Sequence, residues 1–156
     1  MITHERVQGG ILSTGRILLV EDNDDDAEIV VRGFAAQKIV NTVERAHDGN
    51  EALALMRTAV REGQLPVVLL DLKMPGMDGF EFLEEVRRDP DLRRALIFVL
   101  TASEDEEDKS RSFDYNVAGY IVKDRAGAGF IEVFRLFERY WEVVERPAGL
   151  ALEFKA

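Results

Sequence analysis

The sequence predicts an α/β domain built on a single doubly wound, five-stranded parallel sheet with helices on both faces. Three observations carry that prediction. Strand-like and helix-like segments alternate five times along the chain. Three of the strand-like segments, Ile17 to Val20, Val67 to Leu70 and Leu96 to Leu100, are compact apolar runs of the kind a strand buried in a parallel sheet requires. Each of the three runs stops at a polar side chain: Glu21 and Asp22, then Asp71, then Thr101. In open parallel sheets ligands gather outside the carboxyl ends of the strands, so these endings are candidates for chemistry.

The bulk numbers limit what that chemistry serves. A chain of 156 residues with 46% apolar content makes one domain with a real core and short tails. The formal net charge of −10 repels nucleic-acid phosphates and anionic lipid over most approaches, so neither is expected as a partner. The absence of cysteine excludes disulfides, thiolate metal sites and cysteine nucleophiles, and is compatible with a reducing cytoplasm. No apolar run reaches the roughly 20 residues of a membrane helix, and Met1 to Gly15 lacks a signal-peptide core. A soluble cytoplasmic protein is the expectation.

Residues 1–15, with Gly9-Gly10 and Ser13-Thr14-Gly15, hold no sustained period and read as a flexible lead-in to a domain spanning 16–145, with 146–156 as a tail. Arg16 to Val20 is the first strand. The acidic cluster Glu21 to Asp26 follows, and then a helix with Ala27, Val30, Val31 and Phe34 on one face. For Asp24, Asp25 and Asp26 capping and dipole compensation at the helix start is the preferred reading. A calcium loop fails, because Ala27 stands where the turn glycine belongs and Gly33 where the bidentate Glu belongs.

Ile39 to Ala46 is more polar, as an edge strand needs to be. His47-Asp48-Gly49 is a turn; both His47 and His4 read as surface residues. The next helix carries Ala52, Leu55, Met56 and Ala59 on one face and breaks near Gly63 and Pro66. After the strand ending at Asp71 come the turn Pro75-Gly76, the pair Asp78-Gly79 and a short helix over Phe80 to Arg88 that stops at Asp89-Pro90. Glu104 to Tyr115 is poor in apolar residues, with Phe113 nearly alone, so it is either a solvated helix or a part able to shift. Ala118 to Val122 is the last strand, ending at Lys123-Asp124, and Gly127 to Val144 is the longest helix.

In such a sheet Glu21, Asp22, Asp71, Thr101 and Lys123 meet at one edge. Three carboxylates together repel one another, and a magnesium ion relieves that repulsion. A lysine and a hydroxyl beside them suit a tetrahedral phosphoryl group, and a carboxylate can itself be the nucleophile that forms an aspartyl phosphate. The alternative for Asp71 is loop capping; for Thr101 it is ordinary β-propensity.

The segments Leu18-Leu19-Val20-Glu21-Asp22-Asn23, Leu69 to Gly79, Val99-Leu100-Thr101-Ala102 and Gly119-Tyr120-Ile121-Val122-Lys123 resemble, in order and spacing, the receiver domain of two-component response regulators, over about Arg16 to Val144. The resemblance implies a flavodoxin-like sheet of order 2-1-3-4-5. It further implies that Asp71 accepts phosphate from a histidine kinase, that Glu21, Asp22, Asp71 and the Lys73 carbonyl hold Mg²⁺, and that Thr101 and Lys123 grip the phosphoryl oxygens. Thr101 and Tyr120 are the switch pair it implies, Thr101 moving toward the phosphoryl group while Tyr120 turns inward; packing at the strand is the plain alternative for Tyr120. Lys73 and Ser103 stand where the family tunes loss of the phosphate. The chain departs from the family at Lys123-Asp124, where a cis-proline is usual, so that loop is expected to take another path.

After Val144 there is no room for an output domain, so a stand-alone regulator acting through other proteins is expected. In the final helix Phe130, Phe134, Phe137 and Trp141 form a core stripe, while Val133, Leu136, Tyr140 and Val143 are a surplus apolar flank that a homodimer would cover. The long aromatic helix and the Glu21-Asp22-Asn23 opening are similar to those of single-domain regulators serving phytochrome-type histidine kinases. Three function classes follow: a phosphoacceptor switch rather than a turnover enzyme, which is the leading one; a phosphorylation-independent scaffold; and a metal-dependent phosphatase on a related sheet.

Overall fold

The computed structural model describes residues 16–36 and 42–123. Strands β1 (Arg16–Val20), β2 (Thr42–Ala46), β3 (Val67–Leu70), β4 (Ile97–Thr101) and β5 (Gly119–Val122) form one parallel sheet of order β2-β1-β3-β4-β5. The connecting helices are α1 (Asp24–Ala36), α2 (Gly49–Arg61), α3 (Gly79–Arg88) and α4 (Glu106–Phe113). The step from β1 to β2 runs one way across the sheet, and the steps from β2 to β3, β4 and β5 run the other way. Right-handed crossovers therefore put α1 on one face and α2, α3 and α4 on the opposite face. The long helix expected over 127–144, the surplus flank Val133, Leu136, Tyr140 and Val143, the lead-in, the tail and the loop after Lys123 lie outside the described residues.

The three apolar runs fill the centre. Every residue of β3 and β4 is buried, and so are Ile17 to Val20. β2 and β5 flank them, and the half-buried Val43, Glu44 and Arg45 fit the edge position of β2. On α1, Ala27 and Phe34 face the core and Val30 packs against it, but Val31 is 43% exposed. Four apolar residues span more of the helix circumference than one face of this sheet covers, so Val31 is left at the margin.

Helix ends follow their sequence signals. Asp48 caps α2 by accepting from Glu51 N–H, and Asp78 forms a reciprocal capping box with Glu81 on α3. Gly63, just past α2, takes a φ of 81°, the left-handed conformation for which glycine is suited. α4 buries only Ser112, and Phe113 is 47% exposed. The sparse apolar content of that segment thus gives a helix on the surface. It is tied down by polar contacts and by the Arg111 guanidinium, 4.0 Å over the Phe80 ring of α3.

Candidate functional site

Parallel register decides what meets at the carboxyl edge. Val20 pairs with Leu70, so the next residues, Glu21 and Asp71, leave adjacent strands at the same height. Two further bonds extend the ladder past the strand ends, Glu21 N–H to the Ala46 carbonyl at 3.0 Å and Asp71 N–H to the Val20 carbonyl at 3.1 Å. The backbone thereby fixes both acids where the sheet stops. Thr101 pairs with Val122, which places Lys123 next along β5 at that edge.

Glu21 and Asp71 are 1% and 6% exposed, and Asp22 beside them is open to solvent. One ligand oxygen from each of Glu21, Asp22 and Asp71 lies within 4.8 Å of the others. That spacing lets three carboxylates share one divalent cation. Burial pushes the Glu21 carboxyl up to about 7; hydrogen bonding to Lys123 opposes the rise and the Asp71 charge adds to it. The buried Glu21 carboxyl therefore holds its proton to a higher pH than an exposed glutamate does.

Lys123 supplies the cation the site already has. Its Nζ lies 2.7 Å from Glu21 Oε1, 2.7 Å from Asp26 Oδ2 and 3.3 Å from Asp71 Oδ2. Burial works against the ammonium charge, but hydrogen bonds to Asp26 and Glu21 and the field of Asp71 outweigh it and hold the pKa above the usual lysine value. The lysine stays protonated throughout the physiological range.

The loops that follow the strands are folded back onto the same edge. Lys73 N–H donates to Asp71 Oδ1 at 3.2 Å, which curls the chain around the carboxylate. Gly79 N–H donates to the Leu72 carbonyl at 3.0 Å, bringing the start of α3 against the strand end; a Cβ at Gly79 would sit 2.6 Å from Leu72 Cα and 2.8 Å from the Asp71 carbonyl. Thr101 is fully buried and its Oγ1 accepts from Ser103 N–H at 3.4 Å. The Tyr120 hydroxyl donates to the Ser103 carbonyl at 3.0 Å, so the ring is held against the loop after β4.

Asp24 and Asp26, with Asn23 and Arg45 as their partners at this edge, were not picked out from the sequence as part of the site. The cap of α1 is Asn23, whose Oδ1 accepts from Asp26 N–H at 2.9 Å; the carboxylate of Asp26 is thereby left to pair with Lys123. Asp24 pairs with Arg45 at 2.6 Å, and Arg45 Nε also donates to the Glu21 carbonyl at 2.9 Å. Thus the first-turn acids suit the helix dipole, as expected, while two of them also have specific cationic partners. The readable signal was Asn23 as cap, which places Asp26 one turn into the helix. His47 is exposed and its ring lies 3.1 Å from Glu51, in keeping with a surface residue. Among the described residues no helix is long and apolar enough to cross a membrane.

Comparison with known proteins agrees with this geometry. The model of the response regulator receiver domain matches residues 17–134. The probable methanogenesis regulatory protein FilR2 of Methanothrix harundinacea is 34% identical over 137 residues, which is 86% of this chain and 88% of that protein. Response regulator Rcp1 of Synechocystis sp. is 33% identical; its Mn²⁺-bound crystal structure superposes with a TM-score of 0.68, covering 86% of this chain and 99% of that one. The phosphorylated cyanobacterial phytochrome response regulator RcpA is 32% identical with a TM-score of 0.69, covering 85% and 96%. With a sheet of order 2-1-3-4-5 whose buried acids and lysine share one edge, and with a family match over most of its length, this chain belongs to the response regulator receiver domain family.

Proposed function

We propose that the chain is a phosphoacceptor switch of a two-component system, taking a phosphoryl group on Asp71 from a histidine kinase in a Mg²⁺-dependent reaction and signalling through altered protein contacts. The observation that carries the reading is a nearly buried Asp71 carboxylate with Lys123 Nζ at 3.3 Å and two further acids close enough to share a cation. In the transfer an Asp71 oxygen attacks phosphorus; the new P–O bond forms as the P–N bond of the phosphohistidine breaks, and the imidazole leaves, carrying a proton at its nitrogen. Lys123 offers its ammonium to the phosphoryl oxygens, and Thr101 its hydroxyl.

Glu21, Asp22 and Asp71, with the Lys73 carbonyl, are the groups proposed to hold the metal. Their fit is supported by ligand oxygens of the three acids lying within 4.8 Å of one another, and by the Mn²⁺ bound in the related Rcp1. Bound Mg²⁺ would neutralise charge on the transferring group. The phytochrome class of kinase is proposed from the likeness to RcpA, a phytochrome response regulator. Thr101 and Tyr120 are proposed as the moving pair. A homodimer through Val133, Leu136, Tyr140 and Val143 remains a proposal from the sequence, and a concentration-independent monomer in analytical ultracentrifugation would remove it.

The test is incubation with acetyl phosphate and Mg²⁺. A hydroxylamine-labile adduct is expected on the wild-type chain and none on Asp71→Asn. No adduct on the wild type would overturn the reading.

A further inference from the structure

Lys123 has three acceptors and all are carboxylates, but they differ in kind. Glu21 and Asp71 belong to the set whose oxygens can share one cation; Asp26 does not. A metal taken up by that set would draw on the lone pairs of Glu21 and Asp71, and a phosphoryl group would occupy an oxygen of Asp71. Asp26 is the one partner of the three that neither event engages. It also stands on a fixed support, because its backbone N–H is bound by the Asn23 cap in the first turn of α1. Lysine carries a flexible four-carbon stem whose rotamer freedom is lost when the ammonium is held in one place. A charge-assisted bond of 2.7 Å to a carboxylate on a helix restrains that stem from outside the reacting cluster.

We propose that Asp26 is a positioning residue for phosphoryl transfer: it anchors the Lys123 ammonium beside Asp71 while metal and phosphoryl group occupy the other carboxylates. The inference rests on Asp71 being the phosphoacceptor. Asp26 acts through Lys123 and touches no reacting atom. Its negative charge alone would have the opposite effect, weakening the pull on an incoming phosphoryl dianion, so positioning and simple electrostatics predict changes of opposite sign.

The experiment compares the full chain with Asp26→Asn and Asp25→Asn, the second removing the same charge from an exposed neighbour. Phosphoramidate with saturating Mg²⁺ serves as donor, and the ¹⁵N resonance of the Lys123 ammonium, identified by its loss in Lys123→Met, is followed in parallel. Asp26→Asn is expected to slow phosphorylation about tenfold and to broaden the Lys123 resonance through faster exchange with water. Asp25→Asn is expected to do neither, and calorimetric Mg²⁺ affinity is expected to change less than about twofold in both. In the Lys123→Met background Asp26→Asn should add no further slowing.

Unchanged or accelerated phosphorylation in Asp26→Asn would overturn the proposal, as would equal slowing in Asp25→Asn or a persistent effect without Lys123. Failure of the wild type to form an adduct would instead defeat the phosphoacceptor reading. The Lys123 resonance would then still decide the anchoring: its broadening in Asp26→Asn alone supports the anchor, and an unaltered signal removes it.

Discussion

The Lys73 ammonium lies 3.2 Å from Asp108 Oδ2, so the loop that curls around Asp71 is tied directly to the first turn of α4. Asp108 also accepts from Ser103 Oγ at 2.7 Å, and the Ser103 carbonyl accepts from the Tyr120 hydroxyl. One polar chain therefore links the phosphoacceptor loop, the end of β4, α4 and β5. It stands in place of the apolar packing that α4 lacks.

Breaking that chain should loosen α4. Lys73 is 65% exposed, so the pair itself is screened and worth about 1 kcal/mol or less. Losing the Ser103 bond as well, Asp108→Ala is expected to raise amide hydrogen exchange across 106–113 by several-fold relative to α2. Equal protection in the variant would mean that Arg111 on Phe80 alone secures the helix. The Ser103 bond is also the main reason the Asp108 carboxyl titrates below its usual value, with the Lys73 bond contributing against the cost of burial. Its stabilising contribution is present above the ordinary carboxylate pKa and is lost as pH falls through the lowered one. Exchange in α4 should accordingly stay slow at mildly acidic pH and rise only in stronger acid.

Glu21 predicts the reverse dependence. Its pKa is raised from 4.5 to about 7 in the folded chain, chiefly by burial, so the folded state binds a proton that the unfolded state has already released. The stability this contributes is complete below pH 4.5 and is lost as pH rises to about 7. Urea unfolding without divalent cation should show this decline, and Glu21→Gln should flatten it. Mg²⁺ should oppose the decline, because a cation bound by the acids favours the charged carboxylate. A decline of the same size in Glu21→Gln would assign it to other groups.

Arg87 is a candidate for the most costly single replacement outside the site. Its half-buried guanidinium donates to the carbonyls of Tyr115, Ala95, Arg93 and Asn116 at 2.7 to 3.0 Å, joining α3 to the segments that precede β4 and β5. Burial lowers its pKa below the usual arginine value, yet four carbonyl partners suit a charged fork. Arg87→Met should cost about 1–3 kcal/mol, since the part-buried carbonyls of Tyr115 and Ala95 lose their donor. Arg87→Lys should recover little, because one ammonium cannot span four acceptors arranged for a guanidinium. Denaturant midpoints of the two variants check this.

Gly79→Ala should disturb both stability and site. The new methyl would meet backbone atoms on Leu72 and Asp71, which cannot swing aside as a side chain can. A loss of about 1–3 kcal/mol is expected, with displaced amide resonances at Asp71 and Leu72. Gly49→Ala is the informative contrast, because the obstruction there is the flexible side chain of Met77 and a smaller loss is expected.

What the sequence determined by itself was the alternation of elements, the three buried central strands with the acids and hydroxyl at their ends, and the lysine at the end of the last strand. These were readable because a strand buried on both faces must be a continuous apolar run, and a polar residue ending such a run marks the sheet edge. Tertiary structure decided which charges pair. Asp26 and Lys123 are 97 positions apart, and Asp24 and Arg45 are 21 apart, so neither pairing has a local signature. As the local pattern stood, Asp24 and Asp26 were first-turn acids near an N-cap, and only the assembled sheet brings cations to them, Arg45 from β2 beside β1 and Lys123 from the end of β5. The same reason separates Val31 from Ala27 and Phe34. Helical spacing states which residues share a side, whereas the width of the sheet beneath decides how many of them are covered.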